Sequence, residues 1–124
     1  MRHQTQMWLQ IAERDLSAAE DLLATGHYEH VAHECQQAIE KTIKALLVEQ
    51  TGRLPPRIHD LSRLAELAEL DLDEERAQLF ADLTELYVEV RYPTTEVTSL
   101  SEEEARGLLE ATGEVREWLL SLLG

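Results

Sequence analysis

Apolar residues recur at helical spacing along almost the whole chain. Between 4 and 25, Leu9, Ala12, Leu16, Ala19 and Leu23 step by three and four, and Trp8 and Ile11 widen the stripe. Such a repeat lines one side of an α-helix. Gly26 follows as a residue at which a helix can stop. The pattern resumes at once and predicts a second helix over 28–50. At about 100° per residue, Tyr28, Val31, Cys35, Ala38, Ile39, Thr42 and Leu46 share one face. His30, His33, Gln37, Lys41 and Lys44 fall on roughly the opposite face. The short link predicts that the two helices form an antiparallel hairpin.

Thr51-Gly52 ends the second pattern, and Leu54-Pro55-Pro56 makes a stiff extended connector. Asp60 is the expected N-cap of a short third helix running to about Leu70, with Leu61, Leu64, Ala65 and Ala68 on its apolar side. Asp73, Glu74 and Glu75 then open a fourth helix over 73–91, since acidic residues suit the positive end of a helix dipole. Its core stripe is Leu79, Leu83, Leu86 and Val90, with Phe80 and Tyr87 alongside. Pro93 disfavours helix at Tyr92 and closes it. Residues 94–98 read as an irregular loop. Ser101 with Glu104 three residues on forms a capping box. The fifth helix runs to about Leu123 and buries Leu108, Val115, Leu119 and Leu122. Residues 1–124 thus predict a single all-α domain, a five-helix up-and-down bundle built on a long antiparallel helical hairpin.

Composition narrows the function. The net charge is −14, which argues against non-specific nucleic-acid binding, a process that depends on lysine and arginine against phosphates. A single cysteine, Cys35, sits on the apolar face of its helix and fits a reducing compartment. No apolar run approaches the ~20 residues of a membrane span, and the N-terminus lacks a signal-peptide core. The expected setting is cytoplasmic, with no membrane partner.

Candidate chemistry concentrates on the second helix. Lys41 and Lys44 are the two lysines of the chain; every other basic residue except histidine is arginine. Glu40 and Lys44 form an i, i+4 pair that on an exposed helix is worth ~0.2–0.5 kcal/mol. A second wall could come from His59, just after the Pro-Pro connector, and from Arg91, just before the Tyr92-Pro93 break. Each taken alone reads as structural. His27, His30, His33 and Glu34 have a spacing compatible with two metal ligands, but without a paired cysteine or His-Glu-x-x-His motif a polar helix surface is the better reading, and no metal site is assigned. No spacing supports nucleophilic catalysis, and there is no glycine-rich phosphate loop.

These residues resemble a HEPN domain (higher eukaryotes and prokaryotes nucleotide-binding). The resemblance rests on Ala12 to Leu16, on Tyr28, on Gln36 to Lys41 with Lys44 to Leu47, on His59-Asp60-Leu61, and on Tyr87 with Arg91-Tyr92-Pro93. It implies a helical bundle that forms a homodimer and partners a minimal nucleotidyltransferase, often as half of a toxin–antitoxin pair. It also implies, in many members, a metal-independent ribonuclease whose arginine is followed after four to six residues by a histidine. Arg91 matches that arginine, but residues 92–98 contain no histidine, so the general acid–base group is missing. The expectation is therefore a non-catalytic binding module without a cofactor, in which Gln37, Lys41, Lys44, His59, Arg91 and Tyr92 could hold a nucleotide or phosphate. The rival is a ribonuclease toxin with Arg91 as its surviving catalytic residue. A third reading makes the polar stripe an internal network that fixes helices two, three and four. A dimer interface is expected on an apolar strip that includes Trp118 or Leu120.

Overall fold

The computed structural model describes the backbone of residues 1–91 and 99–123, and side chains within 1–87 and 99–123. Five helices account for its regular structure: α1 (His3–Ala24), α2 (Tyr28–Thr51), α3 (Leu61–Leu67), α4 (Glu74–Arg91) and α5 (Glu102–Ser121). Among the described residues there is no strand. The predicted loop at 94–98 lies outside them, as does the side chain of Val90.

Local chemistry sets the boundaries. After α1 the chain reverses on Gly26, whose φ of 82° suits a residue without Cβ. There His27 N–H donates to the Leu22 carbonyl at 2.9 Å and Gly26 N–H to that of Leu23 at 3.3 Å. This pair of bonds satisfies the last carbonyls of α1 and returns α2 antiparallel along it. Asp60 caps α3 by accepting from the backbone N–H groups of Ser62 and Arg63. The predicted third helix is too long: α3 stops at Leu67, because the chain turns left-handed at Glu69 (φ 57°) and Leu70 N–H reaches back to the Ala65 carbonyl. Asp73 accepts from Arg76 N–H ahead of α4, and Ser101 and Glu104 complete the capping box of α5.

Helix α2 is the axis. It packs against all four other helices, and its residues are buried almost continuously from Val31 to Val48. The core gathers Val31, Cys35, Ile39, Ile43 and Leu46 of α2 around Leu61 and Leu64 of α3, Phe80 and Leu83 of α4, and Leu119 of α5. Two predicted core residues are instead at the surface. Ile11 is 37% exposed and Leu122 is 49% exposed. Ile11 lies at the edge of the α1 stripe, and Leu122 falls one residue past the end of α5, where there is no further helix turn to cover it. Trp118 is half-buried, with the Arg76 guanidinium 4.0 Å from its ring centroid, so this stacking ties α4 to α5. Leu120 is likewise half-buried.

The N-terminus is latched to the far end of α2. Glu49 accepts from Arg2 N–H and from the Thr5 hydroxyl, both at 2.9 Å. The Arg2 backbone bond, then the Thr5 hydroxyl, hold the Glu49 carboxyl below its usual range. A carboxyl depressed by folding stabilises the fold above its unfolded pKa and loses that contribution as pH falls through the folded one. Protection factors of amides in the first turn of α1, taken against the intrinsic exchange rate at each pH, should therefore fall once the pH drops below the usual glutamate range. In Glu49→Gln that pH dependence should be absent.

Candidate functional site

Gln36, Glu40 and Lys44 stand one turn apart on α2 and share one line along it. That line does not face solvent. Gln36 is fully buried, Glu40 is 3% exposed and Lys44 is 5% exposed. The α2–α3 connector closes over them and brings in His59 immediately before the Asp60 cap. Glu40 is the hub. Its Oε2 accepts from Lys44 Nζ at 3.0 Å. Its Oε1 accepts from Gln36 Nε2 at 3.2 Å and meets His59 Nδ1 at 2.9 Å. Gln36 Nε2 also donates to the His59 carbonyl at 2.8 Å, and Gln37 Nε2 donates to Gln36 Oε1 at 2.8 Å.

The arrangement has clear electrostatic logic. A buried carboxylate needs a countercharge and hydrogen bonds at its remaining lone pairs. Lys44 supplies the first, and Gln36 with His59 supplies the second. Because an ionised carboxylate only accepts, the His59 ring presents an N–H from Nδ1 toward it. In the neutral ring, Nε2 is then left as an acceptor. The His59 side chain is half exposed. Its ring lies 5.6 Å from that of Tyr87 on α4, and Tyr87 stacks on His33 of α2 at 5.0 Å. Lys44 Nζ is 5.8 Å from the Trp8 ring centroid, which adds α1 to the cluster.

The predicted site residues thus divide. Lys44, His59 and Gln37 join one network. Lys41 does not: its Nζ pairs with Asp15 of α1 at 2.6 Å. Glu34 lies near that pair, and burial, then Asp15, push its carboxyl above the usual range while Lys41 and His30 pull it down. Arg91 closes α4, but its side chain and all of Tyr92 lie outside the described residues. The expected exposed Glu40–Lys44 pair is instead enclosed. Gln36, Tyr87 and Asp15 were absent from the predicted set; the Gln36-Gln37 doublet within a helix that must pack on several neighbours was the available signal. The histidine series also separates, with the His27 and His30 rings 6.3 Å apart while His33 turns to Tyr87. Among the described residues no group of three or more His, Cys, Asp or Glu could hold a metal ion.

Cys35 is fully buried, and burial pushes its thiol up to about 11. A thiol so protonated is a poor nucleophile. A colourless thiol reagent at neutral pH should label Cys35 only as fast as the bundle unfolds, whereas in denaturant the reaction should be immediate. Rapid labelling of the native protein would mean that Cys35 is not enclosed by the core.

A family model for the HEPN domain matches residues 5–122. The fold is similar to the crystal structure of an archaeal HEPN homologue, with a TM-score of 0.78, 24% identity and coverage of 100% of both chains. It is also similar to a protein from Thermus thermophilus, with a TM-score of 0.79, 21% identity and coverage of 97% of this chain and 98% of that one. At these identities the likeness concerns the fold. No curated protein matches the chain significantly. Among the described residues no helix is long and apolar enough to cross a membrane.

Proposed function

Because the chain belongs to the HEPN domain family, we propose that it is a non-catalytic binding and interaction module, a homodimer that docks a minimal nucleotidyltransferase as one half of a toxin–antitoxin-type pair. One observation carries this reading: Gln36, Glu40 and Lys44 of α2 are turned inward and satisfied within the fold. Glu40 neutralises Lys44 and Asp15 neutralises Lys41, so both lysines serve the bundle's own rigidity. Such a body offers surfaces to a partner more readily than it offers a reaction centre.

A nucleotide would be met at the edge of this network. The half-exposed His59 ring and the partly buried Gln37 amide are the accessible members, and Arg91 and Tyr92 follow from the end of α4 by sequence. Titration calorimetry with ATP and GTP should give binding heat for the wild type that is lost in His59→Ala and in Arg91→Ala. No heat with either nucleotide would remove the ligand half of the proposal and leave the partner half. The latter is tested by co-expression and co-purification with a minimal nucleotidyltransferase, and its failure to bind would remove the partner half. Induction of the chain alone should leave growth and tRNA intact; growth arrest with cleaved RNA, lost in Arg91→Ala, would replace this reading with a ribonuclease.

A further inference from the structure

A groove of about 610 Å³ runs between α4 and α5. Leu86, Leu100 and Leu108 give it an apolar floor, and Asp82, Glu85 and Glu104 form its rim. Gln78 donates to Asp82, and Glu104 caps its own helix. Among the described residues none of the three carboxylates has a cationic partner.

Gly107 lines the same groove inside α5. A Cβ built on it meets nothing within 4 Å. Glycine weakens a helix interior more than any residue except proline, and here no described residue comes close enough to require one. A missing side chain on a groove wall lets another backbone or a large side chain approach closely.

We propose that this groove docks a basic amphipathic helix of a partner protein, with apolar residues on the leucine floor and lysine or arginine against the rim. The charge pattern selects this occupant. A second copy docked groove to groove about a two-fold axis would bring the same three carboxylates together, on a chain whose net charge is already −14. A basic helix meets an apolar strip and three acids that have no cationic partner among the described residues. The inference does not depend on whether the partner is a nucleotidyltransferase.

The test uses the full chain and a fluorescein-labelled synthetic peptide carrying leucines at i, i+3, i+4 and i+7 with lysines between them. A counterpart peptide has glutamate in place of lysine. The lysine peptide should bind, with affinity falling as salt rises, and the glutamate peptide should not. Gly107→Trp should weaken binding by on the order of tenfold, the loss of one well-placed contact. Gly107→Ala should bind as the wild type does while raising the Tm by a few degrees, which shows that the position itself tolerates a side chain. Met7→Trp is the control, because Met7 is exposed on α1 and lies outside the groove. Equal binding by Gly107→Trp, equal loss in Met7→Trp, or no binding of the lysine peptide would overturn the proposal. So would a wild-type dimer that Gly107→Trp converts to monomer, since the groove would then be a self-interface.

Discussion

Glu40→Ala should lower the stability of the bundle by about 3–5 kcal/mol, the loss expected when one member of a buried ion pair is removed and the other stays behind. Lys44 is 5% exposed and its ammonium has Glu40 as its carboxylate partner at 3.0 Å. Without that carboxylate the ammonium must stay charged in an apolar surrounding, lose its proton, or drag the backbone outward. Gln36 and His59 lose their shared acceptor at the same time. Urea unfolding followed by circular dichroism measures the difference. The double variant Glu40→Leu, Lys44→Met provides the control. Replacing both charges with apolar groups of similar volume removes the unpaired ion as well as the pair, and such replacements are often neutral or stabilising. Most of the single-variant loss should therefore be recovered. If Glu40→Ala costs less than about 1 kcal/mol, as an exposed pair would, the pair is not enclosed as described. The comparison also separates stability from recognition: a double variant that is stable yet fails to bind its partner would assign the charges to binding.

The different legibility of fold and site follows from the range of the interactions involved. Helix boundaries depend on neighbours three to five residues away, so Gly26, Asp60 and the Ser101–Glu104 box mark the ends of α1, α3 and α5 in the sequence itself. The end of α3 was the exception. Its stop uses Glu69, an exposed residue in a left-handed conformation that lets Leu70 N–H bond back to the Ala65 carbonyl. The site was legible only in part for a related reason. The spacing of Glu40 and Lys44 is the same whether the pair faces water or protein, and only the number of helices packed on α2 decides which. His59 reaches Glu40 across 19 positions, a distance no helical period encodes. The Pro55-Pro56 connector gave the one hint, because a stiff link after a helix end fixes where the chain returns. Lys41 illustrates the converse: three residues from Lys44, it points to α1 and pairs with Asp15, so closeness in sequence did not put the two lysines in one site.

Phe80→Ala should cost about 3–5 kcal/mol, the range for truncating a buried aromatic ring, and lower the Tm by roughly 10–20 °C for a domain of this size. Phe80 is fully buried and is among the largest enclosed side chains of the fold. Helix α4 has a partly exposed, charged outer surface, with Asp82 and Glu85 in solvent. It is held to α2, α3 and α5 through a short inner row in which Phe80 and Leu83 are enclosed and Tyr87 nearly so. Removing the ring takes away its transfer free energy and leaves a void that the surrounding side chains can only partly close. Against a total stability of about 5–15 kcal/mol for a single domain, this is a substantial share. The consequence for function runs along the helix. One and then two turns beyond Phe80, Leu83 and Tyr87 continue the same row, and Tyr87 is the residue against which the rings of His59 and His33 pack. Amide exchange in α4 and around His59 should therefore rise together in Phe80→Ala, while the α1–α2 hairpin keeps its protection longer. Ile11→Ala, at a surface position, should stay within about 0.5 kcal/mol of wild type. A Phe80→Ala protein that melts within a few degrees of wild type would show that α4 is held by something other than this row, and the groove between α4 and α5 would then need a different account.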